Sequence, residues 1–167
     1  MKRVFSLLLF VFLTMSVVAQ QRMNFLGQPL GCSISTFKQR MVAKGFKYKG
    51  EVETNIHYFD GVFGGEDVSL GVFVTPKSKI VYSVGVGYTS FSDYSDSTLE
   101  YRKDRLVNSF IKKYGNYSHK SGNYIYWYFD YGYIAISYKF SDKLPLTIKY
   151  TDELGEKQSD REQESDY

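Results

Sequence analysis

Apolar and polar positions along this chain change period four times, and each change predicts an element. Phe37, Met41 and Val42 recur at helical spacing behind Ser33, whose hydroxyl can accept from the first free amides of a helix. Gly45 stands where a helix ends in the left-handed conformation, with Phe46 placed to fold back towards Met41. The spacing predicts a helix over Ser35–Lys44. From residue 47 the period falls to two. Ile56, Tyr58 and Val62 mark one extended segment, which ends at Gly64-Gly65. Val68, Leu70, Val72 and Val74 then alternate with Ser69, Gly71 and Phe73. After the turn Thr75-Pro76-Lys77-Ser78, Ile80, Tyr82, Val84, Val86 and Tyr88 alternate with Ser83, Gly85 and Gly87. These connections are too short for crossovers, so the strands are antiparallel. The glycines on the second parity leave room for a helix to dock there.

The pattern then repeats. A loop over Asp93–Ser97 leads to Ser97 and Glu100, spaced as a capping box. Leu99, Leu106, Val107, Phe110, Ile111 and Tyr114 form one apolar stripe, and Gly115 follows Lys112 and Lys113, cations that suit the last turn. A helix over Thr98–Tyr114 is expected. Beyond it, Ile125, Trp127 and Phe129 share one strand parity, and Tyr124, Tyr126 and Tyr128 share the other. Ile134, Ile136, Tyr138 and Phe140 alternate with Tyr133, Ala135, Ser137 and Lys139. Leu146, Ile148 and Tyr150 make a last strand. The order helix, meander, helix, meander predicts an α+β fold: two amphipathic helices packed on antiparallel strands.

The two ends differ from this body. Lys2 and Arg3 precede an apolar run from Val4 to Val18, and Ala19 follows. That layout reads as a cleavable export signal over residues 1–19, with a new terminus at Gln20. Cys32 lies too far behind the apolar run to be an acylation site. Residues 20–151 are expected to form one domain, destined for the periplasm or the exterior. Residues 152–167 carry a net charge of −5, leaving +6 on residues 20–151. With no apolar periodicity, this acidic tail is expected to be disordered.

Composition narrows the chemistry. The chain holds 16 Tyr and 13 Phe, which favour sheet, and a single Cys, which cannot form an intrachain disulfide. His57 and His119 are the only histidines and are far apart in the chain, so a metal site is not expected. No G-x-S-x-G is present, and acids such as Asp60, Glu66, Asp67 and Asp130 stand at turns. Gly61-Val62-Phe63-Gly64-Gly65 is followed by a strand rather than the helix that a phosphate loop requires. The basic residues do not cluster among aromatics, so nucleic acid is not an expected partner. No cofactor, metal or catalytic role is expected.

Several segments together resemble a family of small secreted proteins of unknown function, common in gut bacteria of the Bacteroides type. They are F-L-G-Q-P-L-G at 25–31, A-K-G-F-K-Y at 43–48, F-D-G-V-F-G-G at 59–65, the run from Val72 to Val86, and K-K-Y-G at 112–115. The resemblance spans residues 24–151 and implies no catalytic residues. In topology the layout also resembles the β-lactamase inhibitor protein and small outer-membrane assembly lipoproteins.

These readings converge on a non-catalytic, exported protein-interaction module with an envelope or extracellular partner. Tyr124, Tyr126, Tyr128 and Tyr133 form its candidate binding face, because tyrosine offers large area with a polar handle. A carbohydrate- or cell-wall-binding module is the alternative, since aromatic platforms also stack on sugars. An unrecognised hydrolase is the third reading.

Overall fold

The computed structural model describes residues 21–88, 96–139 and 145–165. The expected export signal and the loop from Asp93 as far as residue 95 lie outside the described residues, as does Phe140. The fold is α+β, built on an eight-stranded sheet whose paired neighbours all run antiparallel. A small hairpin of β1 (Asn24–Phe25) and β2 (Gln28–Pro29) precedes α1 (Ile34–Ala43). The first meander follows: β3 (Lys47–Glu53), β4 (Ile56–Phe63), β5 (Glu66–Val74) and β6 (Val81–Tyr88). Helix α2 (Asp96–Tyr114) leads to β7 (His119–Ser121), β8 (Tyr124–Phe129), β9 (Gly132–Tyr138) and β10 (Leu146–Asp152), and α3 (Glu153–Glu164) ends the chain. The strand order is β3-β4-β5-β6-β10-β9-β8-β7. The two meanders therefore meet through their last strands, with Val84 opposite Tyr150 and Val86 opposite Ile148.

One face of this sheet is the core. Leu70, Val72, Val84, Val86, Ile136 and Ile148 are fully buried on it, each worth roughly 1.5–3 kcal/mol of burial. Helix α1 starts where expected, Ser33 Oγ accepting from the Thr36 amide at 3.3 Å. It brings Phe37 edge-on to Phe59, ring centres 6.3 Å apart. Phe46 folds back as expected, its amide donating to Met41 O at 3.1 Å. Its ring lies over Gly61, where any Cβ would stand 2.3 Å from Phe46 Cδ1. Helix α2 lays Phe110 on Trp127, centres 5.5 Å apart, and Trp127 Nε1 donates to Gly115 O at 2.9 Å.

Four expectations need correction. Helix α2 already includes Asp96, so Ser97 is not its cap; Glu100 pairs with Lys103 instead. Tyr82 does not share the face of Val84. The register shifts between Phe73 and Val74, Tyr82 is the extra residue of that bulge, and bulges re-aim side chains. Among the described residues no helix docks on Gly71 or Gly85: a Cβ at either would meet only Phe73, Ile56 and a strand carbonyl.

The largest correction is the acidic tail, which folds as a third helix and extends the domain to Glu164. Asp152 caps it, its carboxylate accepting from the Gly155 amide at 3.1 Å. The helix buries Gly155 and Ser159 rather than large apolar residues. Gly155 sits so close to Tyr82 that a Cβ there would stand 2.6 Å from Tyr82 Cβ. Near its end, Glu162 accepts from the amides of Lys77 and Ser78 and from Ser78 Oγ, at 2.7, 3.1 and 2.6 Å. A helix that packs through small residues and hydrogen bonds leaves no apolar stripe to read.

Candidate functional site: the open face of the sheet

Strand alternation places the second parity of every strand on the face away from α1 and α2. Registers then line residues up across the strands. The middle row runs Tyr58, Gly71, Gly85, Lys149, Ala135, Tyr126, His119. A second row runs Asp60, Ser69, Gly87, Thr147, Ser137, Tyr124. A third runs Phe73, Ser83, Thr151, Tyr133, Tyr128. The middle row passes from Tyr58 through Gly71 and Gly85, then Lys149 and Ala135, to Tyr126 and His119, so the small residues of the central strands lie between rings, while Phe73 of β5 and Tyr133 of β9 add rings at one end of the same strands.

The four tyrosines expected to form one face do so. Tyr124 and Tyr128 are exposed and Tyr126 and Tyr133 half-buried. Tyr124 stacks on Tyr126 at 6.1 Å, and Tyr126 on Tyr128 at 5.6 Å with only 2° between the planes. Tyr133 joins from β9, edge-on to Tyr128 at 6.2 Å. His119, on the last strand, stacks on Tyr126 at 6.2 Å. The rings thus turn their faces to one another. Partial burial, then the neighbouring Tyr128 and Tyr124, push the Tyr126 hydroxyl above its ordinary pKa. Burial does the same for Tyr133, whose hydroxyl donates to Glu156 of α3 at 3.2 Å.

Between the two aromatic borders lies a half-open trough of about 480 Å³. Its floor is the backbone and small side chains of β5, β6, β10 and β9; Tyr58 and Phe73 wall one side, and Tyr124, Tyr126 and Tyr133 the other. Lys149 stands in its floor, its ammonium 5.5 Å from the centre of the Phe73 ring. Beyond Phe73 and Tyr133, α3 sits against Tyr82 and Tyr133.

No family model, curated protein or solved structure matches this chain. The site therefore rests on its own geometry. Elsewhere, His57 is buried on the core face, its Nδ1 2.9 Å from the Tyr48 hydroxyl, and burial lowers its pKa. Cys32 is half-buried, and burial raises the pKa of its thiol. Among the described residues no three of His, Cys, Asp and Glu converge as metal ligands would. No helix among them is long and apolar enough to cross a membrane. A smaller hollow of about 300 Å³ lies between α2 and the β4–β5 turn, where Arg102 binds Glu66 at 2.7 Å.

Sequence reasoning found the tyrosines and missed Lys149, Tyr58 and Phe73 as members of one site. Their parity was legible: Thr147, Lys149 and Thr151 oppose Leu146, Ile148 and Tyr150. What brings Lys149 beside Gly85 is the pairing of β10 with β6, two strands distant in the chain with no local signal of each other.

Proposed function

We propose that the chain is a non-catalytic binding module, exported from the cell, that docks a partner protein on the open face of its sheet through Tyr124, Tyr126, Tyr128 and Tyr133. The observation that carries this reading is the stacking of the row. Sugar recognition by aromatic residues needs ring faces open to the ligand, and here Tyr126 has a tyrosine on either side. What the row offers outward is ring edges and hydroxyls, the mixed apolar and polar surface that anchors protein interfaces. The side chains are also held by one another, so little rotamer entropy is lost on docking.

The test is the triple variant Tyr124→Ser/Tyr126→Ser/Tyr128→Ser, compared with the wild type in crosslinked capture from bacterial envelope extract. The variant stays folded by circular dichroism and loses the captured protein. A folded variant that captures the same protein undiminished removes the tyrosine row from the interface. Binding of the wild type to a glycan array, abolished in the same variant, turns the reading to a carbohydrate module.

A further inference from the structure

We propose that the trough beside the tyrosine row binds a small soluble monoanion with an apolar body, its acid group held by Lys149. The argument begins with that lysine. Its neighbours across the sheet are Gly85 and Ala135, which give it nothing to pair with. Among the described residues no carboxylate lies within 4.0 Å of its ammonium. Its companion is the Phe73 ring, at 5.5 Å.

Three acids near the trough are already engaged. Asp60 pairs with Lys49 at 3.3 Å, Glu53 accepts from the Tyr58 hydroxyl at 3.1 Å, and Glu156 accepts from the Tyr133 hydroxyl at 3.2 Å. A cation in an aromatic-walled hollow, with Asp60, Glu53 and Glu156 bonded to other groups, complements an anion supplied from outside. Charge-assisted contacts of this kind are stronger than neutral ones.

Size and lining define the rest of the ligand. A hollow of about 480 Å³ falls within the roughly 300–1,000 Å³ of small-molecule sites, which are mostly apolar with a few placed polar groups. Tyr58 and Tyr126 wall the row on which Lys149 stands, and the floor between them is otherwise Gly71, Gly85 and Ala135. The site admits an apolar body between the walls with its acid group at the floor. Tyr124, Tyr126 and Tyr133 of the docking row also wall the trough, whereas Tyr128, the most exposed ring of the row, does not, so Tyr128 and Lys149 tell the two readings apart.

The experiment uses a matched pair of fluorescent probes on the full chain without its first 19 residues. 8-Anilinonaphthalene-1-sulfonate carries the negative charge, and N-phenyl-1-naphthylamine has the same rings without it. Wild type binds both, the anion about tenfold more tightly, and Lys149→Met erases that preference by weakening the anion alone. Gly85→Val fills the floor and abolishes both. It should fold, since a Cβ there meets nothing closer than 3.7 Å. Thr147→Phe fills the same floor from β10 should Gly85→Val not fold. Tyr128→Ser leaves both probes unchanged, which separates trough binding from docking through the exposed Tyr128. Equal affinity of wild type for the two probes overturns the proposal. So does an unaltered preference in Lys149→Met, or intact binding in the folded floor-filling variant.

Discussion

Arg22 Nη1 lies 2.5 Å from Asp152 Oδ2, so the start of the described chain is bonded to the junction of β10 and α3. The Asp152 side chain is fully buried, and its other oxygen accepts from the Met23 amide at 3.1 Å. One carboxylate therefore holds the N-terminal segment and caps α3 at once. Asp152→Ala strands these donors and should cost about 3 kcal/mol, the lower end for breaking a buried pair, since Arg22 is partly open to solvent. Urea denaturation checks it. A loss below about 1 kcal/mol would mean that water replaces the carboxylate.

Helix α3 should be needed for full stability. Truncation after Asp152 uncovers Tyr82 and removes the acceptors of Lys77 and Ser78. The melting temperature should fall by about 5 °C or more. An unchanged midpoint would make the helix dispensable, which the absence of apolar periodicity alone would suggest.

Glu162 makes part of that docking dependent on pH. Slight burial raises its pKa, but the hydrogen bonds from Ser78, Lys77 and Gln158 outweigh this and hold the carboxyl at about 2. The folded value lies below the unfolded one, so the contribution is present above about pH 4.5 and is lost as pH falls towards 2. Glu162→Gln should therefore lose less stability than wild type between pH 4.5 and pH 2.5 in urea titrations. Parallel losses in the two proteins would remove Glu162 from the acid response. The residue is only partly buried, so solvent screens the interaction and the difference is small.

Trp127 is buried beneath Phe110 and Tyr117. Trp127→Ala should cost about 3–5 kcal/mol, as large core deletions do. Native fluorescence should be blue-shifted and move to the red on unfolding. A native spectrum already red-shifted would contradict the burial.

Gly61 tests the close approach of Phe46. Gly61→Ala drives a methyl into the ring and should cost about 1–3 kcal/mol, measured as a lowered urea midpoint at unchanged slope. The double variant Gly61→Ala/Phe46→Leu should lose less than the two single losses added together.

Where apolar side chains carried the packing, the sequence was readable. Phe37 and Met41 marked α1, the Leu99–Tyr114 stripe marked α2, and the parity of Ile125, Trp127 and Phe129 against Tyr124, Tyr126 and Tyr128 assigned the two faces of β8. Where packing runs through small residues it was not readable, as with Gly155 and Ser159 of α3. The bulge at Tyr82 shifted parity by one residue without any Pro or Gly to announce it. The trough was hidden for another reason: its lysine and its glycines come from different meanders, and only long-range pairing makes them neighbours.

That pairing also sets the order in which the sheet can assemble. Each meander closes from short hairpins, but the seam between β6 and β10 joins Val84 to Tyr150 across a stretch that includes all of α2. Closing so long a loop costs entropy before its contacts repay it. The two half-sheets therefore form first and the centre last. A chain halted before β10 would leave β6 as an unpaired edge with Val84 and Val86 beside it, so the intermediate most exposed to aggregation is the one whose first half is complete.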